Sequence, residues 1–257
     1  TDRNDLLVHG EQPVAPEAEE KYLNWIRQRA EHIPLQQLTG EQGFMGLTFS
    51  VNEHVLIPRQ DTEILVEEVL KELHDGMRVL DMCTGSGCIL LSLLHYSNDC
   101  EGLGVDLSAE ALEVAGRNVL KVLTPEKAEH AHFLQSDLFE KVEGKFEIIV
   151  SNPPYIASAE VEKLMPEVRD HEPRMALDGT EDGLYFYRRI IEEAGKHLVS
   201  SGMLFFEIGY DQGQAVSELM RTEGYCDVQV VQDYAGLDRV VFGTYVTVQP
   251  APFAKSR

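Results

Sequence analysis

One short stretch combines residue types that suit the binding of a flat NH2 group. The sequence S-N-P-P-Y at 151–155 follows a mostly apolar run at 146–150 that predicts a buried strand. Prolines cannot donate backbone hydrogen bonds, and each proline keeps the residue before it extended. We call Asn152, Pro153, Pro154 and Tyr155 the NPPY hook. Its amide oxygen, its backbone carbonyls and its aromatic ring predict a cleft that accepts hydrogen bonds from a planar NH2 group.

A glycine-containing turn is the second candidate site. It follows a strand predicted at 79–82 and comprises Cys83, Thr84, Gly85, Ser86 and Gly87. In doubly wound folds this turn faces the ligand crevice, and glycine lets the backbone approach a ligand closely. Asp106 ends the next predicted strand, where a carboxylate can accept hydrogen bonds from both ribose hydroxyls of a nucleoside. Leu90 takes the third glycine position of the dinucleotide motif, which disfavours NAD.

The elements that must position these sites alternate along the chain. Strands are predicted at 79–82, 102–107, 132–135, 146–150, 203–208, 228–232 and 239–246, and helices at 88–96, 109–120, 184–198 and 212–221. This alternation predicts an α/β fold with a Rossmann-like, doubly wound, mainly parallel sheet. The closing strand pair predicts one antiparallel strand. Ser108 is the expected N-cap of the helix at 109–120, and Asp61 or Thr62 that of an earlier helix.

The first part of the chain differs from the rest. Residues 1–38 are predicted to be helical, with Tyr22, Trp25, Ile26 and Arg29 on one face of a helix at 18–32. So short a segment cannot form a domain alone, so we expect it either to dock on the rest of the chain or to be the remnant of a longer helical domain. Glycines and alternating apolar residues predict a linking β-hairpin at 39–57. Residues 58–257 form the predicted α/β domain.

The charge balance indicates which kinds of partner the protein can bind. Lys and Arg total 22 against 44 for Asp and Glu, which gives a formal net charge of −22. Such a chain is repelled by phosphate backbones unless its cations cluster, and no Lys/Arg cluster is present. We therefore expect no nucleic-acid partner. The sequence has no long apolar segment and no signal-peptide pattern at 1–10, so we expect no membrane association and a cytoplasmic location.

Cysteine and histidine patterns give no indication of a metal. The four cysteines lack CxxC spacing and the pattern of a disulfide framework, which favours reduced thiols. The nine histidines show no ligand spacing such as HExxH.

Spaced motifs across most of the chain resemble the release-factor glutamine methyltransferases, the PrmC/HemK family. NPPY alone is shared with enzymes that methylate adenine, cytosine or glutamine amides, but the ordered set is specific to this branch. The motifs are PLQQLTG at 34–40, VLIPR at 55–59 with DTE at 61–63, VSNPPYI at 150–156, EP at 172–173 with AL at 176–177, DGL at 182–184 with FYRR at 186–189, EIG at 207–209 with QG at 212–213, and AGLDRVV at 235–241.

The resemblance implies a class I methyltransferase domain that uses S-adenosylmethionine and releases S-adenosylhomocysteine. It implies methylation of the glutamine side-chain amide in the Gly-Gly-Gln loop of peptide-chain release factors. The implied cofactor-binding residues are Cys83, Thr84, Gly85, Ser86, Gly87, Asp106, Leu107, Asp137, Leu138 and Asn152, with Asp137 and Leu138 beside the adenine. The implied catalytic and substrate-binding residues are Asn152, Pro153, Pro154 and Tyr155.

Two departures from the family pattern stand out. Cys83 occupies a position where the family usually has glycine, so we expect a slightly reshaped pocket beside the methionine part of the donor. The helical segment before the hairpin is shorter than is usual in the family, which bears on affinity for the release factor more than on chemistry. Arg59 and Glu172 either line the target channel or form only a salt bridge.

Two other functions use the same motifs. A nucleic-acid adenine methyltransferase would share the NPPY hook, but it would need a target-reading domain and a basic groove. A catalytically silent module that binds S-adenosylmethionine would act as a scaffold for partners. Substitution of Asn152 separates the scaffold from an enzyme, because only an enzyme would lose turnover while it keeps donor binding.

Overall fold

The computed structural model describes residues 3–246. The strands are β1 (Glu41–Phe44), β2 (Leu47–Ser50), β3 (Arg78–Met82), β4 (Glu101–Asp106), β5 (Ala131–Gln135), β6 (Phe146–Ser151), β7 (Leu198–Glu207), β8 (Tyr225–Gln232) and β9 (Asp238–Tyr245). The helices are α1 (Arg3–Val8), α2 (Pro16–Ala30), α3 (Leu35–Thr39), α4 (Asp61–Glu72), α5 (Cys88–Tyr96), α6 (Ala109–Val122), α7 (Pro125–Ala128), α8 (Ser158–Val161), α9 (Pro166–Arg169), α10 (Tyr185–Ala194) and α11 (Gly213–Thr222). A turn of 3-10 helix spans Arg174–Ala176.

The main sheet confirms the predicted fold class. Its seven strands lie in the order β5-β4-β3-β6-β7-β9-β8. Strands β3 to β7 pair in parallel, and β9 is antiparallel to both β7 and β8. The chain runs from β3 outward to β4 and β5, and then returns to the other side of β3 with β6. Ligands bind at such a reversal of strand order, at the carboxyl ends of the strands.

Both faces of the sheet are buried. Along β6, Ile148 and Val150 pack into a core with α4, α5 and the β1–β2 hairpin, while Ile149 packs on the opposite side with α10 and α11. Successive side chains of a strand point to opposite faces, so a run of apolar residues supplies both cores. The strand ends that carry the site are therefore fixed by packing from both sides.

The hairpin is packed into the core, whereas helix α2 of the segment before it is largely exposed. The predicted hairpin is present as β1 and β2, and Phe44 and Phe49 are fully buried with ring centroids 6.0 Å apart. Helix α2 has no buried residue, and the predicted apolar face stays largely open, with Tyr22 at 59% and Ile26 at 49% exposure. At the end of α2, Arg29 pairs with Glu167 of α9, which ties the helix to the rest of the protein.

Of the two predicted helix N-caps, one is present in the structure and the other is not. Ser108 caps α6 as expected, since its hydroxyl accepts a hydrogen bond from the backbone N–H of Ala111. At α4 the N-cap residue is Gln60, so the prediction of Asp61 or Thr62 was wrong. Thr62 lies inside the first turn, where its side chain turns toward the NPPY hook. Within residues 3–246, no helix is both long and apolar enough to cross a membrane.

Candidate active site

The ends of four parallel strands form one crevice. The turn after β3, the end of β4, the segment after β5 and the hook after β6 all face a cavity of about 220 Å³. Of the residues predicted to form the site, those that line it are Cys83, Thr84, Gly85, Ser86, Asp106, Leu107, Asp137, Leu138, Asn152 and Pro154. Gly87, Pro153 and Tyr155 are adjacent in sequence to this lining but are not part of it.

The glycine turn has a left-handed backbone at three positions. Cys83, Gly85 and Gly87 have φ of 63°, 55° and 78°. A Cβ atom on Gly85 would meet nothing within 4 Å, whereas one on Gly87 would come within 3.2 Å of the Ala115 side chain. Gly85 thus leaves space on the cavity side, while Gly87 allows α5 to begin close to α6. Cys83 adopts a left-handed conformation that glycine adopts more easily than other residues. This agrees with glycine being the usual residue of the family at this position.

Asp106 links the glycine turn to the next loop. Its Oδ2 accepts a hydrogen bond from the Gly85 N–H at 2.8 Å, and its Oδ1 accepts one from the Ser108 N–H at 2.9 Å. Burial raises the pKa of this carboxyl, and hydrogen bonds from the backbone of Ser108, Gly85 and Leu107 oppose the rise. Each carboxylate oxygen can accept more than one hydrogen bond, so both remain available to a ligand in the cavity.

The segment after β5 places a carboxylate and an apolar side chain together. Leu138 is buried, with a left-handed φ of 46°, and it lines the cavity next to Asp137. Asp137 forms an ion pair with Arg189, with 2.9 Å between Oδ1 and Nη1. The Ser136 N–H donates to the Asp106 carbonyl at 3.0 Å, which holds this segment beside the end of β4.

The NPPY hook is held from two directions. The Asn152 side-chain NH2 donates to the Thr62 hydroxyl, with 3.4 Å between Nδ2 and Oγ1. The Tyr155 carbonyl accepts a hydrogen bond from Nε2 of Gln212 at 3.0 Å. Among the hydrogen bonds of the described residues, none ends on the Pro153 carbonyl. The Asn152 side-chain oxygen likewise has no donor among the described residues, and Asn152 lines the cavity, whereas Pro153 is buried beside it.

The phenol of Tyr155 faces the interior of the protein. Its hydroxyl lies 3.4 Å from Oε1 of Glu207, the last residue of β7. Burial raises the pKa of this phenol, and the negative charge of Glu207 raises it further. Tyr155 is therefore a neutral hydrogen-bond donor to Glu207 rather than a base.

Two acidic groups, one in β3 just before the glycine turn and one in the turn itself, have unusual environments. Asp81 is fully buried, and burial raises its pKa to about 7 although the Thr84 hydroxyl donates to it. Burial also raises the pKa of the Cys83 thiol, which Asp106 and Asp81 raise further. Cys83 is consequently a neutral thiol in this site and not a nucleophile. No group of three or more His, Cys, Asp or Glu side chains within residues 3–246 could hold a metal ion.

Arg59 and Glu172 form the salt bridge that was one of the two roles the sequence left open. They form an ion pair, and Glu172 is buried and also accepts a hydrogen bond from the Ile57 N–H at 3.2 Å. Arg59 itself lines the cavity. Glu172 therefore fixes the segment that enters α4, and Arg59 presents a positive charge to the crevice.

Sequence comparisons identify the family. The family described as "Methyltransferase small domain" matches residues 59–168, and the "PrmC N-terminal domain" matches residues 1–40. The release factor glutamine methyltransferase of Clostridium acetobutylicum is 42% identical over 93% of this chain and 85% of its own length. That of Moorella thermoacetica is 45% identical over 92% of this chain and 84% of its own length. The chain belongs to the release factor glutamine methyltransferase family.

A solved structure supports the fold of this family member. A methyltransferase from Pyrococcus furiosus superposes with a TM-score of 0.58 at 18% identity, covering 86% of this chain and 99% of that one. This likeness concerns the fold alone. The sequence resemblance stated for the chain is confirmed, and the chain is a methyltransferase.

Three polar residues beside the hook of this methyltransferase were not predicted as site residues. Thr62, Glu207 and Gln212 each contact a member of the hook. Their motifs, DTE at 61–63, EIG at 207–209 and QG at 212–213, had been noted only as part of the family resemblance. No local signal marks them, because their partners lie far away in the sequence.

Proposed function

We propose that this methyltransferase transfers a methyl group from S-adenosylmethionine to the side-chain amide nitrogen of the glutamine in the Gly-Gly-Gln loop of peptide-chain release factors. One observation carries the proposal: Asn152 and Asp106 line the same cavity. An acceptor suited to an NH2 group and a carboxylate suited to a ribose thus share one crevice. The names of the relatives supply the protein substrate.

The residues of the cavity fit S-adenosylmethionine. The open space at Gly85 would let the donor approach the backbone, and we assign the two oxygens of Asp106 to the ribose hydroxyls. We assign Leu107 and Leu138 to the faces of the adenine and Asp137 to its amine. We assign Cys83, Thr84, Ser86 and Gly87 to the turn around the methionine part, with Asn152 at the methyl. When bound, the donor supplies a methyl group on a positively charged sulfur and yields S-adenosylhomocysteine.

The hook orients a poor nucleophile. The lone pair of a carboxamide nitrogen is delocalised into its carbonyl. The Asn152 oxygen and the Pro153 carbonyl would accept the two N–H groups of the target, so that its lone pair faces the methyl group. The N–C bond would form as the S–C bond of the donor breaks, and the nitrogen would then release one proton to solvent. Alignment of this kind reaches effective molarities on the order of 10^5 M or more. Pro154 lines the cavity and forms the wall beside the target amide, and Tyr155, whose phenol points to Glu207, supports the hook from behind.

We propose that the chain has the three parts that the sequence predicted. Residues 1–38 form a helical segment that helps to hold the release factor, 39–57 the hairpin linker, and 58–257 the catalytic domain. The net charge of −22 disfavours a nucleic-acid substrate and is compatible with a protein partner.

A transfer assay tests the proposed function. The purified chain, isotope-labelled S-adenosylmethionine and a release factor should give a labelled factor. A release factor whose loop glutamine is replaced by alanine should stay unlabelled, and Asn152→Ala should abolish turnover while calorimetry shows retained donor binding. Equal labelling of the alanine variant would overturn the assignment of the target. An active Asn152→Ala enzyme would overturn the assigned chemistry.

A further inference from the structure

The long connection between β6 and α10 contributes one wall of the cavity. We call residues 166–179 the wall segment, which contains α9 and the turn of 3-10 helix. Its residues that line the cavity are Pro173, Met175, Ala176 and Asp178. The stretch before α4 lines the same cavity with His54, Val55, Leu56, Pro58 and Arg59. Two stretches that are far apart in the sequence therefore meet at the cavity.

A buried carboxylate joins these two stretches. Glu172 of the wall segment is 6% exposed, and its Oε2 accepts a hydrogen bond from the Ile57 N–H at 3.2 Å. The same carboxylate forms an ion pair with Arg59. A buried charge is tolerated only when it is paired and hydrogen-bonded, so these contacts fix the spacing between the two stretches.

The far end of the wall segment packs on the hook. Ile156 directly follows the hook, and its N–H donates to the Leu177 carbonyl at 3.0 Å. The Gly179 N–H donates to the Ile156 carbonyl at 2.8 Å. A Cβ atom on Gly179 would lie 2.8 Å from the Cα atom of Tyr155, so the two backbones are in close contact. A shift of the wall segment would therefore shift the hook.

The N-terminal helical segment contacts the beginning of the wall segment. The ion pair between the end of α2 and α9 is one of these contacts. Nε2 of Gln37 donates a hydrogen bond to the His171 carbonyl at 2.7 Å, and Nε2 of His171 donates one to the Glu31 carbonyl at 3.2 Å. His171 directly precedes Glu172. The N-terminal segment is thus linked to the cavity through a continuous series of hydrogen bonds and ion pairs.

We propose that the N-terminal helical segment completes the active site by holding the wall segment against the hook, with Gln37 and Glu172 as the positioning residues of this link. Neither side chain lines the cavity, so both act through the wall segment. The inference deepens the proposed function and rests on it, because the wall segment packs on the hook that would receive the target amide. The N-terminal segment then sets the rate of methyl transfer as well as the affinity for the release factor.

A substitution at Gln37 tests the link from the N-terminal side. Gln37→Glu keeps the shape of the side chain but replaces the NH2 donor with an oxygen that repels the His171 carbonyl. We expect kcat at saturating release factor to fall on the order of tenfold, because small displacements around a reacting centre lower the rate. Gln229→Glu is the matched control, since it adds the same charge at an exposed position of β8 and should leave kcat unchanged.

A substitution at Glu172 tests the link from the cavity side. Glu172→Gln keeps the size of the side chain but removes the charge that pairs with Arg59. We expect kcat to fall at least as far as in Gln37→Glu, because Glu172 contacts the stretch before α4 directly. Glu160→Gln is the matched control, since it neutralises an exposed carboxylate that pairs with Lys163 outside the wall segment, and it should leave kcat unchanged. Melting temperatures show whether each variant is folded under the assay conditions.

Hydrogen exchange gives a readout that does not depend on turnover. The Gly179 N–H, which bonds the Ile156 carbonyl, should exchange faster in Gln37→Glu than in the parent. It should keep its parent rate in Gln229→Glu. Equal exchange rates in Gln37→Glu and the parent would overturn the link between the N-terminal segment and the hook.

The kinetic constants separate a segment that only docks the release factor from one that completes the active site. A higher KM for the release factor with an unchanged kcat in Gln37→Glu would mean docking alone, and a lower melting temperature with an unchanged kcat would mean a purely structural contact. Either result would overturn the inference, as would an equal fall of kcat in Gln229→Glu. A parent chain that does not methylate the release factor would instead contradict the proposed function, and the inference would fall with it.

Discussion

The side-chain nitrogen of Gln212 lies 3.0 Å from the carbonyl oxygen of Tyr155 and donates a hydrogen bond to it. The same nitrogen donates to the Gly183 carbonyl at 3.3 Å, and the Gln212 oxygen accepts from the Gly209 N–H at 3.0 Å. The residue before α11 therefore ties the exit of β6 to the loop before α10. The last carbonyl of the hook is engaged within the protein, and the proposed function assigns the target amide to the earlier acceptors.

Gln212→Ala should loosen the hook. The variant leaves the Tyr155 and Gly183 carbonyls without this donor, which should cost about 1–3 kcal/mol of unfolding free energy. A displaced hook should lower turnover on the order of tenfold or more. Urea denaturation and kcat measure the two effects. Gln214→Ala is the control, since Gln214 is exposed and its side chain bonds only Glu218 among the described residues. Equal losses in both variants would show that the hydrogen bonds of Gln212 do not hold the hook in place.

Gly183→Ala should displace the hook by direct contact. A Cβ atom at Gly183 would lie 2.3 Å from the Tyr155 carbonyl oxygen, and φ at this residue is 73°. Gly236→Ala is the matched control, because φ is 78° but its Cβ would meet nothing within 4 Å. The control should lose about 1 kcal/mol from backbone strain alone. Gly183→Ala should lose clearly more and also lose turnover, and equal stabilities of the two variants would contradict this account.

Substitutions at Cys83 separate backbone strain from loss of the thiol. Cys83→Ala keeps the left-handed φ of 63° for a residue with a Cβ atom, whereas Cys83→Gly removes that strain. Both variants remove the thiol, so Cys83→Gly should be more stable than Cys83→Ala by about 1 kcal/mol. The midpoints of urea unfolding measure the difference. An alanine variant as stable as the glycine variant would show that this turn carries no strain.

Asp81 predicts a pH dependence of stability. Burial raises its pKa from an ordinary value of 3.8 to about 7, so the folded state favours the protonated form. The contribution of Asp81 to stability is full below the unfolded pKa and is lost as pH rises toward 7. Asp81→Asn cannot ionise, so its stability relative to the parent should increase between those pH values and then level off. The gain is a few kcal/mol by linkage, roughly 1.4 kcal/mol for each pKa unit.

Unfolding free energies of the parent and Asp81→Asn, measured at several pH values, check this prediction. The asparagine fits the same site, since its oxygen can accept from the Thr84 hydroxyl and the Leu90 N–H that bond Asp81 Oδ2. A constant difference across the pH range would show that Asp81 is ionised in the folded protein at all of these pH values.

The sequence predicted the features that depend on local pattern. Alternating strands and helices, the Ser108 cap and the hairpin all follow from residue spacing, and the structure has them. The positions of Cys83, Asp106, Leu138 and Asn152 around one cavity follow from the rule that parallel strands end at one edge of the sheet.

The features that sequence missed depend on distant contacts. Thr62 resembles a helix cap, and only the fold shows its hydroxyl meeting Asn152. Glu207 and Gln212 lie more than fifty residues after the hook residue that each contacts. The periodicity of α2 indicated a buried face, but periodicity does not reveal whether a neighbour covers it, and in the structure that face is largely exposed.

Mass spectrometry of a release factor after incubation with this enzyme and S-adenosylmethionine tests the central claim most directly. The proposed function predicts one added methyl group on the side-chain amide of the glutamine in the Gly-Gly-Gln loop, and no modification when Asn152→Ala replaces the enzyme. An unmodified release factor, or a methyl group on any other residue, would contradict it.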